Sequence, residues 1–250
     1  MTARSQTAPT VKTFMKIALI GFGKMGREID AAAREQGETI ARVFEIDDPV
    51  RPEGLADVDI CMDFSMPQAV LANVRAAVAA RKDIVVGTTG WDAHLAEIRS
   101  MVKESGMLYS TNFSLGMNIF FRIVRRAAEL MRNAGEYDPY IHEIHHRQKV
   151  DSPSGTALSL ARILLERIER KTDILGEPPE GKIAPQMLHV SSTRAGVVTG
   201  THTVGFDSEA DLIELRHVAK NRKGFALGAL AAARWLRGRK GIYTMEDVEF

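Results

Sequence analysis

Two adjacent histidines, a lysine and a predicted helix start lie together within residues 143–156. His145 and His146 are neighbours, and Lys149 follows four residues after His145. A proline and the small polar residues Ser154–Thr156 then open an apolar-periodic run. Proline at the first position of a helix and serine or threonine at its cap are typical start signals. The segment therefore combines titratable side chains with a helix N-terminus.

The side chains of this segment suit proton transfer, and its helix start suits anion binding. An imidazole exchanges protons near neutral pH because its unperturbed pKa is about 6.5. Lysine becomes a practical proton donor when neighbouring cations lower its pKa, and Lys149 follows two histidines and Arg147. Backbone N–H groups at a helix N-terminus attract a carboxylate or a phosphate. The segment is predicted to hold a small dianionic substrate and to deliver a proton to it.

A glycine-rich loop near the start of the chain predicts a nucleotide site. Gly21, Gly23 and Gly26 follow a strand pattern at Met15–Ile20 and open a helical pattern, and Glu45 ends the next predicted strand. In this context the first glycine makes a tight turn, the second lets the backbone approach a pyrophosphate, and the third lets helix and strand pack closely. A plain strand–turn–helix is the alternative. Dinucleotide binding is favoured because every part of the pattern is present.

The acidic residue after the second strand bears on which dinucleotide binds. A carboxylate at this position favours the free 2′-hydroxyl of NAD and repels the 2′-phosphate of NADP. Ile46 and Asp47 follow Glu45, and the nearby cations are Lys24 and Arg42. We therefore expect NADH to be preferred and NADPH to be tolerated.

The order of predicted elements indicates an α/β protein with two domains. As far as residue 114, strand patterns alternate with helical patterns, which is typical of βαβ units in a parallel sheet. The later part has a strand ending at His145, a long helix and then three strands, which is typical of a mixed sheet. We predict an N-terminal Rossmann-type parallel sheet and a second α+β domain built on a mixed sheet. The boundaries are a flexible leader at 1–14, a dinucleotide-binding domain at 15–114 plus 225–250, and a second domain at 115–224.

Three local predictions concern less regular parts of the chain. A helix is predicted over Asp92–Ser105, and an irregular connection over Lys171–Pro185. The residues Thr244–Asp247 resemble a capping box and predict a terminal turn.

Composition limits the classes of function. Of the 250 residues, 45% are hydrophobic and 26% charged, and the formal net charge of +1 gives no support to a nucleic-acid or membrane-surface partner. The single cysteine, Cys61, lies in an apolar run and is expected to be buried and unreactive. No apolar stretch approaches the roughly 20 residues of a membrane span, and residues 1–14 lack the apolar core of a signal peptide. A cytoplasmic protein is predicted.

The motifs together resemble the dihydrodipicolinate reductase (4-hydroxy-tetrahydrodipicolinate reductase) family of the diaminopimelate–lysine pathway. The likeness runs from Met15 to Val248, and residues 143–157 are its strongest part. The other matching segments are Gly21–Arg27, Asp63–Pro67, Gly87–Gly90, Asn112–Gly116, Ser192–Gly196, Gly200–Val204 and Arg222–Ala226.

The resemblance implies roles for the residues of the first segment. It implies that His145 is the acid/base group, that Lys149 is the proton donor and that His146 binds substrate. Gly155 and Thr156, with Ser154 at the helix start, match the site for one substrate carboxylate. The second carboxylate is expected on His146, Lys149 or Arg194.

The resemblance also implies the reaction, the cofactor contacts and the assembly. The reaction is NAD(P)H-dependent reduction of 4-hydroxy-tetrahydrodipicolinate to tetrahydrodipicolinate, by a homotetramer assembled through the substrate-binding second domain. Family members that use NADPH often carry arginine where this chain has Ile46. The matching nucleotide contacts are Gly21, Phe22, Gly23, Lys24, Met25, Gly26, Glu45, Gly87, Thr88, Thr89, Thr111, Asn112, Phe113 and Ser114.

Other hypotheses fit part of the sequence. A nucleotide-sensing regulator would need no proton donor, and a different two-domain dehydrogenase would not be expected to carry the whole 143–157 motif. A metal site built from His142, His145 and His146 is disfavoured because adjacent strand residues face opposite ways, and no metal is predicted. For His202 and His217, structural roles are as well supported as substrate contacts.

Overall fold

The computed structural model describes residues 14–176, 179 and 181–249, and the chain divides into two compact units. One unit contains the described residues up to Thr111 together with those from Leu230 onward, and the other is Asn112–Ala229. The divisions therefore fall slightly before residue 114 and slightly after residue 224, where the sequence analysis placed them. Except for its last residue, the predicted leader lies outside the described residues.

The first unit is built on a six-stranded sheet in which every neighbouring pair of strands is parallel. The strand order is β11-β5-β4-β3-β1-β2. Its strands are β1 (Lys16–Ile20), β2 (Thr39–Phe44), β3 (Ile60–Asp63), β4 (Asp83–Val86), β5 (Gly106–Tyr109) and β11 (Gly241–Thr244). Its helices are α1 (Lys24–Glu35), α2 (Pro67–Ala79) and α3 (Leu95–Met101), with 3-10 turns at Pro52–Leu55 and Asp92–His94. The predicted Rossmann-type parallel sheet is confirmed.

The central strands of this sheet are almost entirely apolar because they are buried on both faces, as parallel sheets are. Cys61 lies among them with no exposed surface, and burial raises the pKa of its thiol to about 12, which keeps it protonated. The expectation of a buried, unreactive cysteine is confirmed.

The second unit contains a five-stranded mixed sheet in the order β10-β9-β6-β8-β7. Its strands are β6 (Asp138–His145), β7 (Asp173–Leu175), β8 (Met187–Arg194), β9 (Thr201–Asp207) and β10 (Leu212–Val218). Its helices are α4 (Leu115–Met131) and α5 (Gly155–Arg167), and α6 (Lys223–Leu236) crosses the division between the units. Strand β6 pairs antiparallel with β9 and parallel with β8, so the predicted mixed sheet is confirmed.

Helix α5 begins as the sequence predicts. Ser154 is its N-cap, and its hydroxyl accepts a hydrogen bond of 3.2 Å from the backbone N–H of Ala157. The apolar run then buries Leu160 and Leu164 in a core that also contains Ile141 of β6 and Val124 of α4. This packing fixes the start of α5 beside the end of β6.

Two local predictions were wrong in part, and a third was confirmed but missed a strand beside it. The helix predicted over Asp92–Ser105 is a 3-10 turn followed by the shorter α3. The connection Lys171–Pro185 contains the three-residue strand β7, which is too short to show alternation. The terminal turn is present, with the Asp247 carboxylate accepting from the backbone N–H of Thr244 at 2.7 Å, but strand β11 directly before it was not predicted. Among the described helices, none combines the length and hydrophobicity that a bilayer crossing requires.

Candidate active site

The register of three strands assembles a polar cluster around Glu143. Residues two apart on a strand share a face, so Glu143 and His145 both lie on the buried face of β6. Ser192 of β8 and His202 of β9 are the residues paired with Glu143 on either side. Arg194 of β8 pairs with His145. Five polar side chains from three strands therefore lie next to one another.

Glu143 is fully buried, and its two carboxylate oxygens are used differently. Oε1 accepts hydrogen bonds from the backbone N–H of Ser154 at 2.9 Å, from Ser192 Oγ at 2.8 Å and from Arg194 Nη2 at 2.8 Å. Oε2 lies 3.1 Å from Nδ1 of His145 and 3.5 Å from Nε2 of His202. Neither imidazole is aligned for a regular hydrogen bond to Oε2. One oxygen is saturated, and the other faces two imidazoles.

The ionised form of Glu143 is favoured despite its burial. Burial by itself raises the pKa of this carboxyl. The interactions with His202, Ser154, Arg194 and Ser192 outweigh burial and hold the pKa well below its usual range. Glu143 is therefore a carboxylate at neutral pH.

His145 is held in the neutral form. Burial lowers its pKa to about 4; the Glu143 carboxylate opposes this shift, and His202, Lys149 and Arg194 add to it. The ring of His202 packs edge-on against that of His145, with the ring centroids 5.1 Å apart. At neutral pH the His145 imidazole can accept a proton at one nitrogen and donate from the other.

Lys149 and the start of α5 form a second part of the cluster. Lys149 Nζ pairs with the Asp151 carboxylate at 2.7 Å. That pairing and the backbone N–H of Gly155 help to lower the pKa of Asp151. Gly155 is exposed, and a Cβ atom placed on it would have no atom within 4 Å. In this structure the Asp151 carboxylate therefore pairs with the lysine and the helix N-terminus that were predicted to bind an anion.

Some of the residues predicted to bind substrate already use their polar groups in contacts within the protein. Arg194 was considered as a partner of a substrate carboxylate. Its Nη2, however, donates to both Glu143 and the backbone carbonyl of Asp151, so it links two parts of the protein itself. Ser154 is buried; its backbone N–H donates to Glu143, and its hydroxyl accepts from the backbone N–H of Ala157. Thr156, whose hydroxyl accepts from Asn112 Nδ2 at 3.4 Å, and the half-buried His146 lie in the same segment. Direct contact of these residues with substrate stays a prediction.

The sequence analysis weighed a different set of histidines from the one that the fold brings together. His142 lies on the other face of β6, where its Nε2 is 3.1 Å from Thr193 Oγ1. Glu143, His145 and His202 instead each have a potential ligand atom within 4.8 Å of the others. Because Arg194 already neutralises Glu143, a metal ion would meet a fixed positive charge beside it. We assign no metal to this cluster, and the absence of a metal stays a prediction.

The glycine loop of the first unit has the geometry that a bound pyrophosphate needs. Gly21 has a φ of +89°, and a Cβ atom on it would lie 2.5 Å from the carbonyl oxygen of Phe64. A Cβ atom on Gly26 would lie 2.2 Å from the carbonyl oxygen of Gly21. Gly23 is the N-cap of α1 and provides no side-chain cap, so the first N–H groups of this helix are open to an anion. The residues present fit a dinucleotide.

A buried carboxylate organises the neighbouring loop at Gly87–Thr89. Asp63, at the end of β3, has no exposed surface. Its Oδ1 accepts from Ser65 Oγ at 2.6 Å, from the Ser65 backbone N–H at 3.0 Å and from Thr88 Oγ1 at 2.9 Å. Its Oδ2 accepts from Asn73 Nδ2 at 2.8 Å. Asp63 was predicted only as part of a matching motif, and its role in holding this loop was not predicted.

The loop also borders an open cavity of about 270 Å³ in the first unit. The cavity is lined by Met25, Phe64, Ser65, Pro67, Gly87, Thr88 and Thr89, of which four were predicted nucleotide contacts. Glu45, Ile46 and Asp47 are all exposed just after β2. The predicted contacts of the first unit thus lie in segments that directly follow its strands, including the first turn of α1.

Both halves of the chain match models of one protein family. The model described as "Dihydrodipicolinate reductase, N-terminus" matches residues 15–113, and the model described as "Dihydrodipicolinate reductase, C-terminus" matches residues 116–248. The chain belongs to the dihydrodipicolinate reductase family. It is therefore an oxidoreductase, and the family resemblance recognised in the sequence is confirmed.

The similarity to individual members of the family extends over nearly the whole chain. The 4-hydroxy-tetrahydrodipicolinate reductase of Christiangramia forsetii is 41% identical over 239 residues, which cover 94% of this chain and 97% of the relative. The corresponding enzyme of Akkermansia muciniphila is 37% identical over 235 residues, covering 90% and 94%. A dipicolinate-bound dihydrodipicolinate reductase from Paenisporosarcina sp. TG-14 has a TM-score of 0.73 and 22% identity, over 95% of this chain and 100% of that one, and shares the fold.

One group of predicted nucleotide contacts lies in the second unit, although the sequence analysis placed it in the dinucleotide-binding domain. Asn112, Phe113 and Ser114 belong to the second unit. Ser114 is the N-cap of α4 and accepts from the backbone N–H of Met117 at 3.3 Å, while Asn112 Oδ1 accepts from the N–H of Ser114 at 2.9 Å. These groups shape the start of α4, and their contact with a nucleotide stays a prediction of the family resemblance.

Proposed function

We propose that this family member reduces 4-hydroxy-tetrahydrodipicolinate to tetrahydrodipicolinate in diaminopimelate and lysine biosynthesis, with a nicotinamide dinucleotide as reductant. The observation that carries the proposal is the segment 143–156. It places a neutral histidine, a lysine and the N-terminus of α5 in one cluster. The chain also matches two 4-hydroxy-tetrahydrodipicolinate reductases over nearly their full length.

The first unit would hold the dinucleotide. Gly21, Gly23 and Gly26 let the pyrophosphate approach the N-terminus of α1, and the exposed Glu45 would accept hydrogen bonds from the adenosine ribose. The loop Gly87–Thr89, which Asp63 holds, would contact the part of the dinucleotide nearer the reacting ring. When bound, the nicotinamide supplies the hydride.

The second unit would bind the substrate and supply the proton. One carboxylate is expected at the N–H groups of Gly155 and Thr156, and the other at His146 and Lys149. These contacts require that the Asp151 carboxylate give up its pairing with Lys149. Lys149 is the proposed proton donor, in agreement with the resemblance.

His145 would act as the acid/base group in the same step. Because it is neutral in the free protein, its ring holds no imidazolium proton before substrate binds. Two substrate carboxylates near the ring favour its protonation, since negative charges raise the pKa of an imidazole. We propose that His145 takes up a proton as the dianion binds and passes it on within the cluster.

For the cofactor we propose a preference for NADH. The carboxylates of Glu45 and Asp47 are exposed after β2, where they would repel a 2′-phosphate. Arg42, one of the two cations considered in favour of NADPH, pairs with Asp48 at 3.0 Å and lies over the Phe44 ring. Lys24 is the other cation and is exposed.

A steady-state assay tests the proposed reaction. NADH or NADPH oxidation is followed by absorbance, with substrate made in situ by enzymatic condensation of pyruvate and aspartate semialdehyde. We expect turnover with both cofactors and a higher kcat/KM with NADH. The variants His145→Gln and Lys149→Ala should each lower kcat by about 100-fold with dinucleotide affinity nearly unchanged. Absence of oxidation with both cofactors would contradict the proposal.

Two further expectations stay predictions. The homotetramer assembled through the second domain is testable by analytical ultracentrifugation, and a monomer at working concentration would contradict it. The cytoplasmic location is testable by fractionation of the source cells. Neither nucleic acid nor membrane is proposed as a partner.

A further inference from the structure

The two oxygens of Glu143 have different surroundings, and this difference carries a further inference. Oε1 accepts three hydrogen bonds, one from the N-cap of α5 and two from strand β8. Oε2 is enclosed and faces Nδ1 of His145 and Nε2 of His202. A buried carboxylate oxygen without an aligned donor is costly unless the groups that face it can supply a proton.

We infer that Glu143 is a positioning residue that holds Nδ1–H of His145 and so leaves Nε2 as the ring nitrogen that exchanges the proton with the reacting groups. The inference rests on the proposed function, because it concerns the His145 ring of that mechanism. No role in the reaction was assigned to Glu143 by the sequence analysis.

The tautomer of His145 follows from the chemistry of its contact with Glu143. An ionised carboxylate only accepts hydrogen bonds, so the imidazole nitrogen facing it is stabilised when it carries the proton. Nδ1 of His145 lies 3.1 Å from Oε2, within reach after a small rotation of the ring. In a neutral imidazole a proton on Nδ1 leaves a lone pair on Nε2.

The other groups that face the ring make Glu143 decisive. His202, Lys149 and Arg194 all act against a positive charge on His145, whereas Glu143 favours it. Glu143 is the negative group that orients the ring, while burial, together with the positive charges of Lys149 and Arg194, keeps the ring neutral until an anion arrives. Nε2 of His202 lies 3.4 Å from Ser154 Oγ and 3.5 Å from Oε2 of Glu143, the oxygen that also faces His145.

The Nε2 side of the His145 ring borders a glycine. Nε2 lies against Gly200, on which a Cβ atom would be only 3.1 Å from Nε2. A residue without a side chain at this point leaves room for a proton partner beside Nε2. Nδ1, in contrast, is enclosed.

The anchoring of Glu143 also links the two parts of the candidate site. The N–H of Ser154, which donates to Oε1, belongs to the N-cap of α5. Arg194 Nη2 contacts both Oε1 and the carbonyl of Asp151. One carboxylate thus sets the position of the proton-transfer ring relative to the helix start where a substrate carboxylate is proposed to bind.

The inference is tested by the isosteric substitution Glu143→Gln, with Glu166→Gln as the matched control on the exposed side of α5. An amide at position 143 can turn its NH₂ group towards the imidazole, which favours the opposite tautomer. We expect Glu143→Gln to lower kcat by about 100-fold with KM changed by less than about threefold. The control should keep the wild-type values for both. A Glu143→Gln enzyme with wild-type kcat would overturn the inference.

A spectroscopic measurement makes the test independent of turnover. In protein labelled with ¹⁵N-histidine near neutral pH, His145 of the wild type should show a protonated Nδ1 and an unprotonated Nε2. Glu143→Gln should reverse or mix these two signals. A wild-type protein with the proton on Nε2 overturns the inference even if Glu143→Gln does not fold. If the tautomer is as expected but the wild type oxidises neither cofactor, the proposed function fails alone.

Discussion

Asp63 and Glu143 are buried carboxylates that each accept hydrogen bonds from more than one segment, and they differ in what they leave unsatisfied. Asp63 in the first unit accepts from Ser65, Thr88 and Asn73 through both oxygens. Glu143 in the second unit is saturated at Oε1 only, and its Oε2 faces His145 and another imidazole. A saturated carboxylate fixes a backbone shape, whereas a half-saturated one can also act on a titratable neighbour.

The partners of the two carboxylates match these different tasks. The donors around Asp63 are neutral hydroxyl, amide and backbone groups, which hold the loop of Thr88 without any group that titrates near neutral pH. Glu143 has the charged Arg194 on one oxygen and His145 on the other. The first arrangement serves a site that only has to bind, and the second serves a site that has to move a proton.

The largest expected effect comes from removing the saturated carboxylate. Asp63→Ala leaves the donors of Ser65, Thr88 and Asn73 without their acceptor in a buried place. We expect the free energy of unfolding to fall by about 3–5 kcal/mol. Urea unfolding at constant pH measures this change. The exposed Asp57→Ala should change stability by less than about 0.5 kcal/mol, and a loss below about 1 kcal/mol for Asp63→Ala would contradict the role of Asp63 as the organiser of this loop.

The cluster of Glu143 and His145 should instead affect how the free energy of unfolding depends on pH. The pKa of His145 is about 4 in the folded protein, against an ordinary value of 6.5, so folding favours its neutral form. This contribution is fully present above pH ~6.5 and is lost as pH falls towards 4, because the unfolded chain binds a proton that the folded one does not. It amounts to about 3 kcal/mol, and His145 is only 8% exposed.

Comparing wild type with His145→Gln isolates that contribution. The variant keeps His217, whose pKa burial also lowers, so the shared part of the slope cancels. Unfolding free energies measured from pH 7.5 down to 4.5 should fall more steeply for the wild type. Parallel curves would show that the cluster does not hold His145 neutral, and the distinction drawn between the two carboxylates would fail.

The two regions also differ in how far the sequence could predict them. The glycine loop was predictable because the close approach of Gly26 to Gly21 is local in the sequence, although Gly21 also meets the distant Phe64 at the end of β3. The surroundings of Glu143 depend on the register of three strands, which brings in Ser192 and His202 from far along the chain. A sequence pattern indicates that a strand exists, but not which residue of its neighbour stands opposite.

The segment 143–156 shows the same limit within a well-recognised motif. Residue types and spacing indicated a proton donor beside an anion site, and the cap at Ser154 was found where it was predicted. The pattern could not show that Arg194 is engaged with Glu143, because that contact depends on side-chain geometry. Nor could it show that the Asp151 carboxylate pairs with Lys149 Nζ, because that contact also depends on side-chain geometry.

The contact between Lys149 and Asp151 leads to the smallest expected effect. The pair is partly exposed, with 24% of the Lys149 side chain and 56% of that of Asp151 accessible, so its contribution to stability is about 0.5 kcal/mol. Its influence on binding should be larger than on folding, because a substrate carboxylate has to replace Asp151 at Lys149 and at the helix start. We expect Asp151→Asn to lower KM for the dicarboxylate by about threefold with little change in stability.

The direction of this change separates two roles for Asp151. If its carboxylate competes with the substrate, the neutral amide lowers KM, and the control Asp173→Asn, at the exposed first residue of strand β7, leaves KM unchanged. If its carboxylate instead aligns Lys149 for proton transfer, the same substitution raises KM or lowers kcat. The first outcome would make Asp151 a carboxylate that differs from both Asp63 and Glu143, because its partners are shared with the ligand rather than reserved for the fold.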